Sequence, residues 1–159
     1  YIPAQPGIVE TTDGVGLGEH SGVMFHTLGQ RGGLGIGGRR EYSGEPWYVV
    51  GKDLERRVLI VDQGQDSPHL WSHRLTATGT TWIDGAPPAD LRRCTAKTRY
   101  RQADQDCEFE LLADGGSEVR FDAAQRAVTP GQSVVFYDGE TCLGGAVIAK
   151  TDATYGGLA

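Results

Sequence analysis

Apolar and polar residues alternate with a period of two along much of this chain. Cys107, Phe109 and Leu111 stand against Glu108 and Glu110, the mark of a strand with one buried face. This pattern, with β-branched and aromatic enrichment, predicts strands over 8–12, 47–50, 58–61, 70–77, 80–83, 94–102, 107–112, 118–121, 133–137 and 142–149. The runs 47–50 and 58–61 are continuously apolar, which predicts burial on both faces or sheet wrapping. Asp13-Gly14, Thr129-Pro130-Gly131 and Asp138-Gly139 read as turns. Only one stretch reads as helical. Ser21 would cap a short helix over 22–28, with Met24 and Leu28 on one face and Gly29 closing it.

The fold class is therefore all-β with a short helix. Ser67-Pro68 marks a boundary between a small β unit at 1–66 and a second unit at 67–150. The strand spacing of the second suggests a small barrel or sandwich. Residues 151–159 read as a frayed tail. Gly is 24 of 159 residues, well above the usual ~7%, which disfavours long helices. No apolar run approaches the ~20 residues of a membrane span. The chain starts at Tyr1 without a methionine, as expected for a piece of something longer.

Charge narrows the possible partners. The net charge is -6, whereas a protein that wraps nucleic acid non-specifically is basic overall. Any such contact must be a local patch. One exists: Arg92, Arg93, Lys97, Arg99 and Arg101 fall within ten residues that hold no acid. In a regular strand through 102, Lys97, Arg99 and Arg101 share a face at a spacing of roughly 6.5–7 Å. That face is either solvated or turned to an anionic partner.

Catalytic motifs are absent. His69 and His73 have helical metal-pair spacing, but Pro68 precedes them and no carboxylate sits beside them. No metal site is predicted. His20 and His26 flank the expected helix and read as structural hydrogen-bonding residues. Cys94, Cys107 and Cys142 form no C-x-x-C pair and read as buried, inert thiols of a reducing compartment, in preference to nucleophiles. Gly33-Leu-Gly-Ile-Gly-Gly38 lacks the strand before it and the helix after it that a dinucleotide loop needs, so tight turns are the preferred reading over a ligand loop. No G-x-S-x-G elbow or P-loop is present.

Several longer stretches occur together and in order. They are Tyr1-Ile-Pro-Ala-Gln-Pro-Gly7, Gly18-Glu-His-Ser-Gly22, His26-Thr-Leu-Gly-Gln-Arg31 running into Gly33-Leu-Gly-Ile-Gly-Gly38, and Glu45-Pro-Trp-Tyr-Val-Val50. Arg93-Cys-Thr-Ala-Lys-Thr-Arg-Tyr-Arg-Gln102, Ala127-Val-Thr-Pro-Gly-Gln-Ser133 and Phe136-Tyr-Asp-Gly-Glu-Thr-Cys-Leu-Gly-Gly145 follow. To about residue 150 the chain resembles the C-terminal part of the bacterial tRNA-specific 2-thiouridylases (MnmA or TrmU). An older label for that family is tRNA (5-methylaminomethyl-2-thiouridylate)-methyltransferase. The resemblance implies a small central β-domain followed by a six-stranded barrel like domain 2 of elongation factors.

It also implies a role. The family's enzymes adenylate the wobble uridine of tRNA with ATP and then deliver sulfur from a cysteine persulfide. The ATP-binding loop, Mg2+ and both catalytic cysteines belong to an N-terminal domain, so no catalytic residue is expected here and this chain alone is expected to be inactive. Expected partners are tRNA, that catalytic domain and, through the parent enzyme, a persulfide carrier of the sulfur relay, in the cytoplasm and without a membrane. The family's tRNA contacts carry over to Arg99, Tyr100 and Gln132, with Lys97 and Arg101 as supporting cations. The alternative is a structural or protein-interaction module that docks on the catalytic domain without touching tRNA. Arg99 and Tyr100 would point to opposite faces of a regular strand, so the strand must twist or end there, or one residue must make its contact from the backbone side. Gly32 departs from the lysine that the family usually has at that position.

Overall fold

The computed structural model describes residues 4–34, 36 and 42–158. It divides into two compact units, Tyr1–Leu70 and Trp71–Ala159. The start of the Tyr1-Ile-Pro segment lies outside the described residues, as do Gly35, Gly37 and Gly38 of the glycine loop.

The first unit is a four-stranded sheet in the order β2-β1-β4-β3. Its strands are β1 (Gly7–Thr11), β2 (Gly16–His20), β3 (Trp47–Asp53) and β4 (Val58–Gln63). β1 and β4 run parallel, and the other pairs are antiparallel. β4 lies between two neighbours, and its Val58, Leu59, Ile60 and Val61 are all buried. The run 58–61 is thus buried as its composition predicts, whereas 47–50 lies on the edge strand β3 with Trp47 and Tyr48 only half-buried. The turn between β1 and β2 is held by Thr11, whose Oγ1 accepts from the backbone N–H of Asp13 and Val15.

The helix expected over 22–28 does not form. A single 3-10 turn, Val23–Phe25, takes its place, with no side-chain cap at its start. Met24 is exposed while Leu28 is buried, so the two share no packed face. Val23 and Phe25 are poor helix formers, and the segment is bounded by Gly22 and Gly29. The backbone of residues 29 and 30 instead bonds to Val49 of β3, Gly29 N–H to its carbonyl at 2.8 Å and Val49 N–H to Gln30 at 3.0 Å. Tertiary hydrogen bonding outweighs a weak local preference.

The second unit is a closed antiparallel barrel in the order β10-β5-β8-β7-β6-β9. Its strands are β5 (Trp71–Trp82), β6 (Arg93–Lys97), β7 (Gln105–Leu111), β8 (Ser117–Arg126), β9 (Ser133–Asp138) and β10 (Thr141–Thr151). The runs 70–77 and 80–83 are one strand rather than two. Gly79, at φ 63°, sits where the β5–β10 register shifts between Thr78↔Val147 and Thr81↔Gly145. Two residues there oppose one, a glycine bulge that bends the strand without ending it. Leu111, third in the apolar alternation of β7, is exposed at the strand's end.

Inward side chains fill the barrel. Trp82, Phe109 and Phe136 form an aromatic cluster with centroids 5.3 to 5.9 Å apart. Leu75, Val119, Val134 and Ile148 surround it. Gly144 is required where β10 passes β5, because a Cβ there would collide with the Thr81 carbonyl. Residues 152–158 are not frayed. Asp152 Oδ1 accepts from the backbone N–H of His73 and Arg74, and Thr151 is fully buried with its N–H on the Gly156 carbonyl.

Two outcomes follow from this packing. Phe136→Ala should cost about 3–5 kcal/mol in a denaturant titration of the barrel, because it removes a fully buried ring from the cluster. In the first unit, burial, followed by the charges of His20 and Lys52, holds His26 below its ordinary 6.5. The unfolded chain therefore takes up that proton first, and stability present above about pH 6.5 falls as the pH drops below it. Melting temperatures should decline between about pH 7 and about pH 5.5, and His26→Gln should flatten part of that decline.

Candidate nucleic-acid interface

The basic segment breaks where its chemistry begins. β6 ends at Lys97, and residues 98–101 turn. The Thr98 N–H and Oγ1 both donate to Gln102 Oε1, at 3.0 and 3.3 Å. Gln102 N–H closes on the Arg99 carbonyl at 3.2 Å. The predicted strand over 94–102 is thus half strand and half turn, and Lys97, Arg99 and Arg101 do not share one strand face. A threonine that bonds locally to a side-chain amide gives the backbone an alternative to the ladder.

An amide chain fastens this turn to the barrel. Gln102 Nε2 donates to Gln125 Oε1 at 2.6 Å, and Gln125 Nε2 donates to Gln105 Oε1 at 3.0 Å and the Ala123 carbonyl at 2.9 Å. Gln125 is buried. Arg99 is tied as well: its Nη2 donates to the Ala127 carbonyl at 2.9 Å. Ala127 has φ 59°, a left-handed conformation that costs a non-glycine residue roughly 1–2 kcal/mol. Its carbonyl accepts from both Arg99 and Thr129 Oγ1.

The turn forms one wall of an open groove of about 820 Å³. The other wall is Gln132 and the outer face of β9, where Ser133, Val135 and Tyr137 point outward. The walls meet because β6 pairs with β9, with Lys97 opposite Val135. Arg99, Tyr100, Gln132 and Lys97 therefore converge, while Arg101 lies outside the lining. Arg92 and Arg93 belong to a different surface beside Glu108, Glu110 and Arg120, and Arg93 is held bidentately by Asp122. The run 134–137 is continuously apolar, so neither the outward set of Val135 and Tyr137 nor the amide chain had a sequence signal.

The groove's chemistry suits an anionic, partly aromatic ligand. Tyr100 is 96% exposed, an aromatic face held in water. Lys97 Nζ lies 3.2 Å from Asp104 and 5.1 Å from the Tyr137 ring centroid, so its charge is partly compensated. Burial, and next to it the like charge of Arg126, lower the Arg99 pKa from its ordinary value, yet a guanidinium stays protonated at working pH. An incoming anion would relieve that crowding. Gln132 presents an exposed amide able both to donate and to accept.

The remaining predicted features are dispersed. His69 sits in a 3-10 turn, Pro68–Leu70, and His73 on β5. Among the described residues no three His, Cys, Asp or Glu side chains gather to hold a metal. A side chain at Gly32 would meet nothing within 4 Å. Gln102→Ala should accelerate amide exchange at 98–101 while costing only about 1–3 kcal/mol of stability, the scale of one buried polar partner lost. Exchange at 98–101 unchanged from wild type would mean that the amide chain does not hold the turn.

Comparison with known proteins adds independent findings. Residues 72–148 match the family model of the aminomethyltransferase beta-barrel domain, and residues 1–63 that of the tRNA methyl transferase PRC-barrel domain. The chain is 61% identical over 151 residues to the tRNA-specific 2-thiouridylase MnmA of Marinobacter nauticus, covering 95% of this chain and 38% of the relative. It is 59% identical to the protein of the same name from Pseudomonas paraeruginosa, covering 96% and 40%. The Methylococcus capsulatus protein of that name is 57% identical, covering 95% and 41%. The chain spans about two fifths of the length of these relatives.

Proposed function

The chain belongs to the tRNA-specific 2-thiouridylase family, whose C-terminal part it matches, and on that premise we propose that its barrel groove contacts tRNA and positions it for 2-thiolation of the wobble uridine. The observation that carries this reading is the convergence of Arg99 and Tyr100 with Gln132 on one groove, across the β6–β9 pairing. Arg99 would meet a phosphate, Tyr100 would stack on an unpaired base, and the Gln132 amide would hydrogen-bond a base edge or sugar.

The net charge of -6 fits a small number of phosphate contacts rather than a wrapped polyanion. Binding by this chain alone should be weak, on the order of 10⁻⁴ M or worse at physiological salt. ATP-dependent activation, Mg2+ and the persulfide carrier would belong to the remaining length of the enzyme, in the cytoplasm.

A salt titration of tRNA binding tests the reading, in the full-length enzyme and in this chain. Arg99→Ala should weaken binding by ~1–2 kcal/mol and reduce the salt slope by about one phosphate contact. Tyr100→Ala should cost about 1–3 kcal/mol with little change of slope. Tyr100 is so exposed that its truncation leaves the barrel intact. Unchanged affinity and slope in both variants would overturn the proposal and favour a module that docks on the catalytic domain without touching tRNA.

A further inference from the structure

Cys94 and Cys107 are directly opposite each other on β6 and β7. Their Sγ atoms are 3.7 Å apart. Cα atoms of directly opposed antiparallel residues lie about 4.5–5.5 Å apart, inside the 4.4–6.8 Å window a disulfide accepts. Both thiols are free. Cys94 shares the inward face of β6 with Ala96 and is half-buried, whereas Cys107 is fully buried in the barrel core. Each sulfur faces the other, and Cys94 is the less buried of the two residues.

We propose that Cys94 and Cys107 form a reversible dithiol–disulfide site that staples the base of the β6–β7 hairpin. A reducing compartment keeps the pair as thiols, and disulfides that form there are transient or redox-sensing. The oxidant named by the chemistry is a hydroperoxide. Cys94 gives up its thiol proton and its thiolate attacks the distal oxygen; the S–O bond forms, the O–O bond breaks, and the leaving alkoxide takes that proton to become the alcohol (water, for hydrogen peroxide). Cys107 sulfur then attacks the sulfenic sulfur. The S–S bond forms, the S–O bond breaks, and the departing hydroxide takes the Cys107 proton as water. Two thiols lose two electrons in total, and the peroxide gains them.

The roles of the two sulfurs follow from their surroundings. The hydrogen bond from Cys107 holds the Cys94 thiol below its ordinary pKa, with Arg93 adding to the effect. Cys107 is pushed up by that same bond and by burial. Cys94 is thus the attacking sulfur and Cys107 the resolving one. Cys142, on β10, is a lone thiol. The segment enclosed between the two cysteines, 95–106, carries Lys97, Arg99 and Tyr100. Closing it removes conformational freedom from the hairpin, so oxidation rigidifies one wall of the groove. This holds whether or not the groove takes RNA.

The test uses the 159-residue chain without RNA. Reduced protein is treated with a few equivalents of hydrogen peroxide, alkylated and analysed by intact mass, peptide mapping and amide exchange. The expected result is a loss of two hydrogens per chain, a Cys94–Cys107 linked peptide, several-fold slower exchange at 98–104, and full reversal by dithiothreitol. Cys142→Ser should retain the link, and Cys94→Ser and Cys107→Ser should abolish it. Reduced Cys94 and Cys107 beside an oxidised Cys142 would overturn the proposal. So would Cys94 sulfinic acid with Cys107 free, or a link formed only between chains. The wild type and Cys142→Ser decide the matter even if the other variants fold poorly.

Discussion

Closure of the barrel through the β6–β9 pairing is the constraint on which the rest of the second unit depends. Without it β6 and β9 would be open edges with unpaired backbone groups. With it, Ala96 meets Phe136 across the seam, and the aromatic cluster of Trp82, Phe109 and Phe136 is sealed. The small residues matter as much as the rings. Ala96, Ala146 and Gly144 leave room for large neighbours, and Gly144 lets two backbones approach where any Cβ would collide.

The same seam builds the groove. Residues 97–100 and 132–137 are far apart in the chain, and only the closed register brings them to one surface. The outer barrel wall elsewhere is charge-compensated: Arg120 reaches Glu108, Glu110 and Glu118, and Arg93 reaches Asp122. Such exposed pairs add little stability, but they neutralise local charge. At the groove the Arg99 guanidinium donates to the Ala127 carbonyl and lies beside a second arginine, Arg126. An acidic chain can thereby keep a local site for an anion.

Local irregularity concentrates at that site. Ala127 sits in a left-handed conformation under Arg99 and Thr129. A chain of three glutamine amides fixes the turn, and its central member is buried. The cross-strand thiol pair brackets the turn, with Cys94 four residues before it and Cys107 six residues after it. Strain of this kind persists only where surrounding structure over-determines it. Here the barrel supplies that rigidity, and the hairpin tip bears the exposed Tyr100.

The sequence by itself determined the all-β class, most of the strands, the hairpin turns and the family. Period-two alternation and turn chemistry are local properties, and the long ordered motifs need no structure to be read. The continuous apolar run at 58–61 even announced its central place in the sheet. What failed was also local in origin. The helix at 22–28 lost to backbone bonds with β3, the break near Gly79 became a bulge, and the strand through 102 ended at Lys97 because Gln102 captured Thr98. The tail is pinned by Asp152, whose partners lie on β5. Convergence of Arg99, Tyr100 and Gln132 needed both the turn at 98–101 and the β6–β9 register, and the opposition of Cys94 and Cys107 was set by the β6–β7 register. Register is a relation between strands, set by which side chains fill one closed core, and the pattern within a single strand does not encode it.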